Sequence, residues 1–118
     1  MLFYLDNSVL NGPFDDQRQP RIWFEALSVS LVLTLIESGE AALIHSPIHD
    51  LENRHNPFAL RRTWVDKCLS LATHRLALQP AIKTRALALG QGGCKALDAL
   101  HLSCAEAAGA DQFLSNDS

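Results

Sequence analysis

Four acids have the types and positions that could do chemistry: Asp6, Glu52, Asp98 and Asp117. Asp6 closes the apolar run Leu2-Phe3-Tyr4-Leu5, and Asp117 follows Gln112-Phe113-Leu114 after Ser115 and Asn116. Asp98 falls in the first turn of a predicted helix, and Glu52 follows a second apolar run, Ala41 to His45. Carboxylates on rigid elements around an open cavity suit Mg²⁺ or Mn²⁺, which prefer oxygen ligands; Mg²⁺ also keeps several waters. A metal so held polarises a phosphoryl oxygen, helps generate hydroxide and stabilises the leaving oxygen, the three services phosphodiester hydrolysis needs. Without metal, clustered like charges repel and raise one or more of their pKa values. Each acid also has a plainer reading. A strand-end Asp is often a turn or cap residue, and Asp98 suits any helix N-terminus. Glu52 fits a solvated helix face, and Asp117 a tail.

The elements that would have to position these acids alternate between strand and helix. Leu2–Leu5 reads as a buried strand, with Asn7 and Ser8 able to cap a turn or short helix behind it. Residues 12–20 form a polar loop bounded by Gly12-Pro13 and Pro20. A long helix is predicted from Arg21 to about Ser38, stopped by Gly39; its apolar residues surround the axis, which predicts burial on more than one side. Ala41 to His45 is a second strand. Ser46-Pro47 is an N-cap and first helical residue, opening a helix through Glu52 to about His55. Asn56-Pro57 breaks it, and Phe58 to about Arg75 reads as the next helix. Leu76-Ala77-Leu78 is a third strand candidate, Ala81 to Leu89 a helix closed by Gly90, and Lys95 to Ala108 a helix ended by Gly109. Gln112 to Leu114 is the last strand. This alternation implies an α/β fold with a mostly parallel sheet covered on both faces. Ligands in such folds collect beyond the carboxyl ends of the strands, where all four acids could meet.

Composition narrows the classes. A chain of 118 residues, 47% apolar and 19% charged, builds one domain with a real core and no disulfide staples. The formal charge of -3 lacks the basic footprint of a strong nucleic-acid binder, although acidic metal ligands lower net charge and bound cations offset it. Cys68, Cys94 and Cys104 form an odd set without a CxxC pair, which fits reduced cytoplasmic thiols. The start lacks a basic flank and is too short for a signal peptide, and the run from Ala26 to Ile36 is far shorter than the roughly 20 residues of a membrane span.

Other residues invite weaker readings. None of His45, His49, His55, His74 and His101 pairs with a partner and a third ligand in zinc geometry. His101 follows Asp98 by three, as Glu52 follows His49, so each pair shares a helical face; His101 reads mainly as a packing residue or a support behind the site. Arg54, Arg61, Arg62, Lys67 and Arg75 form a basic stretch that is either a solvated face or a phosphate track. Trp23 and Trp64 read as core or interface residues. Gly90-Gln91-Gly92-Gly93 is no phosphate loop, because no strand leads in and no Lys-Ser/Thr closes it.

Four segments together resemble the PIN-domain family. Tyr4-Leu5-Asp6-Asn7-Ser8-Val9-Leu10 is similar to the opening motif that delivers the first metal-binding Asp, and Ser46-Pro47-Ile48-His49-Asp50-Leu51-Glu52 resembles the segment carrying the family's Glu. Lys95-Ala96-Leu97-Asp98-Ala99-Leu100-His101-Leu102 resembles the helix that begins with the third acid, and Phe113-Leu114-Ser115-Asn116-Asp117 the strand and turn bearing the fourth. Order and spacing agree along essentially the whole chain. The resemblance implies a Rossmann-like three-layer α/β/α sandwich and a Mg²⁺- or Mn²⁺-dependent endoribonuclease. Asp6, Glu52, Asp98 and Asp117 would hold metal or its water, with Ser8 and Asn116 in support; Ser8 reads equally as a helix N-cap. It also implies a cytoplasmic toxin of VapC type, paired with a cognate antitoxin and dimeric. Glu25 occupies a place where similar sequences often carry Glu. Family members continue past the fourth acid with a further helix and strand, often with a second acid next to it; here Ser118 follows, so the expectation is a C-terminally truncated PIN-like domain, catalytic or reduced to a binding module. A phosphatase of haloacid-dehalogenase type also opens on a strand-end Asp, but wants a second Asp where this chain has Ser8.

Overall fold

Four short strands lie side by side, all parallel, in the order β3-β2-β1-β4. They are β1 (Leu2–Leu5), β2 (Ala42–His45), β3 (His74–Arg75) and β4 (Gln112–Leu114). The structure, a computed structural model, describes residues 1–116. Among the described residues six helices connect and cover the strands: α1 (Asn7–Asn11), α2 (Pro20–Glu37), α3 (Pro47–Arg54), α4 (Ala59–Leu69), α5 (Pro80–Gln91) and α6 (Ala96–Ala108), with a 3-10 turn at Gly12–Phe14.

Strand side chains alternate between faces, and the core divides accordingly. Phe3 and Leu5 of β1 and Leu43 of β2 pack with Val9, Leu10, Val29, Leu33, Val65 and Leu69, so α1, α2 and α4 form one outer layer. Tyr4 and Ile44 point the other way, onto Ile48, Ile82, Cys104 and Ala105 of α3, α5 and α6. The result is a three-layer, Rossmann-like α/β/α arrangement. Parallel strands need such crossovers, and burial of both faces explains why β1 and β2 are nearly all apolar.

The chain runs from β1 outward to β2 and β3, then returns to place β4 against the opposite edge of β1. Phe3, Tyr4 and Leu5 stand in register with Gln112, Phe113 and Leu114. The reversal between β1 and β4 opens a crevice beyond their carboxyl ends, the place where such sheets bind ligands.

Several sequence expectations are corrected. The cap of α1 is Asp6, whose side chain accepts from Val9 N–H; Asn7 and Ser8 are already helical. Helix α2 is not buried on several sides: Val29, Leu33 and Ile36 form its one buried stripe, while Trp23, Phe24, Leu27 and Leu31 are exposed. Helix α4 ends at Leu69, not near Arg75, because His74 and Arg75 pair with Ile44 and His45 of β2. The third strand is thus this pair, with the Leu76 N–H donating to the His45 carbonyl, and Leu76-Ala77-Leu78 is not a strand. Helix α5 runs through Gly90 to Gln91, where one more turn costs only glycine's modest helix penalty. In α6, Leu97 is exposed and the buried seam is Ala99, His101, Ser103, Cys104 and Ala105. Gly109 ends α6 in the left-handed region at φ 74°, as its residue type requires.

Candidate active site

The crevice holds an open cleft of about 460 Å³ lined by Asp6, Ser8, Glu52, Lys95, Asp98 and His101. Three of the four predicted acids therefore reach one cavity from three separate elements. Asp6 leaves the end of β1, Glu52 stands on α3, and Asp98 occupies the first turn of α6. Asp117 lies outside the described residues.

Asp6 is nearly buried and held on two sides. Its Oδ1 accepts from the Ser8 hydroxyl at 2.6 Å and from the Val9 N–H at 3.1 Å. Its own N–H donates to the Leu114 carbonyl, extending the β1–β4 ladder by one step. Ser8 Oγ in turn accepts from the Asn116 N–H at 3.1 Å. Ser8 thus ties the first acid to the segment after β4. Asn116 meets the cleft through Ser8 and lines a different groove with Phe24, Glu25 and Leu114. Glu25 lies in that second groove, away from the three acids, within 3.7 Å of Arg21.

Glu52 is partly exposed and meets a buried partner. Its Oε1 accepts from His101 Nε2 at 3.1 Å. His101 Nδ1 stands 2.6 Å from the Tyr4 hydroxyl, which is 2.8 Å from Ser46 Oγ. Burial pushes the Tyr4 phenol above its ordinary pKa, so it stays protonated and available as a donor. His49 completes the cluster. Its Nε2–H donates to the Leu5 carbonyl at 2.7 Å, and its Nδ1 accepts from the Ser46 N–H at 3.0 Å. Burial drops the His49 pKa to about 3, so the ring is neutral. This local structure follows from Ser46-Pro47: the serine caps α3, and the N3 side chain reaches back as a capping box, here with His49 in place of the usual Glu.

Lys95 went without a role in the sequence reading, yet it stands in the cleft beside the acids. The available signal was a lysine three residues before a candidate metal-binding Asp, at the mouth of a helix. Lys95 is the N-cap of α6 and forms no side-chain cap bond; the next residues, Ala96 and Leu97, also line the cleft. A helix start and an ammonium next to carboxylates make a place for a phosphate oxygen near a cation.

A neighbouring groove of about 380 Å³ shares Glu52 with the cleft and is lined by Asn7, Asn11, Asn56, Phe58 and Arg61. The Arg61 guanidinium lies 5.0 Å from the Phe58 ring centroid and 5.5 Å from that of Phe14, and donates to the Phe14 carbonyl. Of the basic stretch, Arg61 is the member that lines this groove, while Arg62 donates to the Asn56 carbonyl. Trp64 packs against the core with its indole N–H on the Leu10 carbonyl; Trp23 is exposed beside Phe24. Cys68 and Cys104 are buried, and burial pushes the Cys68 thiol up to about 11, which suits an inert packing residue.

Among the described residues no three of His, Cys, Asp and Glu stand close enough together to cage a metal ion. The donor set in the cleft fits a looser arrangement, one or two carboxylates with waters, which Mg²⁺ favours over an all-protein cage. Also among the described residues, no helix is long and apolar enough to cross a membrane. Compared with protein-family models, curated proteins and solved structures, the chain matches none.

Proposed function

We propose that this chain is a metal-dependent endoribonuclease of PIN type that hydrolyses RNA phosphodiester bonds in the cytoplasm as the toxin of a toxin–antitoxin pair. The observation that carries the reading is the meeting of Asp6, Glu52 and Asp98 in one cleft at the switch point of the sheet. Lys95 stands in the cleft with them, and a hydrated divalent cation would add to the positive charge that such an acid-lined cleft favours. One or two of Asp6, Glu52 and Asp98 would hold Mg²⁺ or Mn²⁺ together with waters, the rest positioning such a water, and Asp117 would be a further ligand of the same type. The bound ion would supply charge neutralisation at the phosphoryl group and a more acidic water.

The remaining roles belong to the chain's own side chains. Lys95 and the first N–H groups of α6 would take non-bridging phosphate oxygens. Ser8 and Val9 would keep Asp6 in one rotamer. The groove beyond Glu52 offers single-stranded RNA an exposed ring at Phe58 and a guanidinium at Arg61, the pairing that stacks bases and meets the backbone. The experiment is cleavage of diverse single-stranded and structured RNAs by the purified chain with Mn²⁺ or Mg²⁺, with and without chelator. Asp6→Asn and Asp98→Asn should each abolish cleavage, in line with losses of about 10²-fold or more for a group acting in the transition state. A folded, Mn²⁺-saturated chain that cleaves none of them rejects this function.

A second reading has its own support. The exposed Trp23, Phe24, Leu27 and Leu31 on α2 suit a protein partner better than water. In that reading the chain is a non-catalytic PIN-like module that binds an antitoxin or pairs with a second copy. Sedimentation analysis alongside the cleavage assay separates the two: association without turnover favours the module.

A further inference from the structure

A continuous run of buried polar groups leads from Glu52 into the centre of the molecule. Glu52 Oε1 lies 3.1 Å from His101 Nε2, His101 Nδ1 lies 2.6 Å from the Tyr4 hydroxyl, and that hydroxyl lies 2.8 Å from Ser46 Oγ. Tyr4, Ser46 and His101 are each at most 2% exposed, so they meet protein groups rather than water; Ser46 Oγ also lies 3.2 Å from His49 Nδ1.

The proton positions follow from the acceptors. A carboxylate oxygen accepts, so His101 Nε2 must carry the hydrogen it shares with Glu52. A ring so protonated can present a lone pair at Nδ1, which the Tyr4 O–H fills at 2.6 Å. The phenol oxygen is left to accept from the Ser46 hydroxyl. His49 Nδ1, though near Ser46 Oγ, already receives the Ser46 N–H at 3.0 Å, which leaves the hydroxyl hydrogen for Tyr4. Every donor finds an acceptor in one direction, and the opposite histidine tautomer would set a lone pair against the Glu52 carboxylate.

We infer that His101, donating from Nε2 and held at Nδ1 by the Tyr4 hydroxyl, is the positioning residue that fixes the Glu52 carboxylate in the cleft. The catalytic consequence rests on the nuclease reading; the placement rests on geometry alone. Glu52 needs such a support more than Asp6 does. It has a longer side chain, is partly exposed, and lacks the two local bonds that hold Asp6. The support also shares elements with the other two acids. Tyr4 lies two residues before Asp6 on β1, and His101 lies one helical turn after Asp98 on α6. The network holds Glu52 from the same strand and helix that carry Asp6 and Asp98, as partners behind metal ligands do elsewhere.

The test combines ring nitrogen NMR with turnover on the full chain. Long-range ¹H–¹⁵N correlation should show His101 protonated at Nε2 in the parent. In Mn²⁺-dependent RNA cleavage, Tyr4→Phe and His101→Leu should lower kcat about 10- to 100-fold, the usual range for a group supporting a metal ligand. KM for RNA should stay within about twofold, since ground-state RNA binding is not touched. His101→Gln can accept from Tyr4 and donate to Glu52 with one amide, and should recover kcat to within about fivefold of the parent. A purely structural role would lower thermal stability without the kcat loss per folded molecule and without rescue by glutamine. The inference is overturned by an Nδ1–H tautomer in the parent, by an undiminished kcat in folded His101→Leu, or by glutamine no better than leucine. If His101→Leu does not fold, the parent's tautomer and the turnover of Tyr4→Phe decide. A parent without metal-dependent cleavage rejects the nuclease reading, while the NMR result still decides the placement of Glu52.

Discussion

Acidification should destabilise this protein through His49 before its carboxylates are titrated. The ring is fully buried between Ser46 and the Leu5 carbonyl, and burial lowers its folded pKa to about 3, against about 6.5 in an unfolded chain. A depressed histidine binds fewer protons folded than unfolded, so stability falls as pH drops below the unfolded value and levels off only near the folded one. At pH 5 the difference is about 1.5 pH units below 6.5, or about 2 kcal/mol. That figure depends on the unfolded pKa and barely on how far below 5 the folded value lies. For a domain of this size it corresponds to a fall in Tm of about 8 °C relative to pH 8. The assay is thermal unfolding by circular dichroism from pH 8 to 4.5, comparing the parent with His49→Gln. The other titrating groups are common to both proteins and cancel in the difference. The variant should start less stable at pH 8, having lost the ring stacked on Tyr4 at 4.6 Å, and the gap should close as pH falls. Parallel curves across this range would refute a buried neutral His49.

Further outcomes follow from particular contacts. Ser8→Ala removes the hydroxyl that joins Asp6 to Asn116 N–H, and should cost about 1 kcal/mol in chemical denaturation while lowering the cleavage rate. Leu33→Ala should cost about 2–5 kcal/mol, whereas Leu31→Glu two positions away should stay within about 0.5 kcal/mol, because one faces the core and the other solvent. Equal losses would mean that the buried stripe of α2 is misassigned. Gly109→Ala forces a side chain onto a φ of 74° and should cost about 1–2 kcal/mol by the same measurement.

Much of this architecture was readable along the chain because it rests on local rules. Apolar runs of strand length ending in Asp6 and His45, the Ser46-Pro47 start of α3 and the Gly109 stop of α6 all took the positions their residue types predict. The errors fell where distant pairing overrode local preference. Residues 70–75 have helix-compatible types, yet the need of β2 for a parallel neighbour pulls His74 and Arg75 into a strand. The apolar residues around α2 say that the helix is hydrophobic, but only the position of the sheet decides that Val29 is buried and Leu27 is not.

The same division holds at the site. Residue type and position along the chain determined that Asp6, Glu52 and Asp98 sit at the ends or starts of regular elements, because caps, strand ends and first turns are short-range matters. Tertiary structure alone decided that the return of β4 beside β1 opens a shared cleft, that Lys95 stands in it, and that His101 and Tyr4 hold Glu52 from behind. Those contacts join residues far apart in the chain, and no local propensity encodes a hydrogen bond between them; they exist because the buried layers bring α3, β1 and α6 to one point.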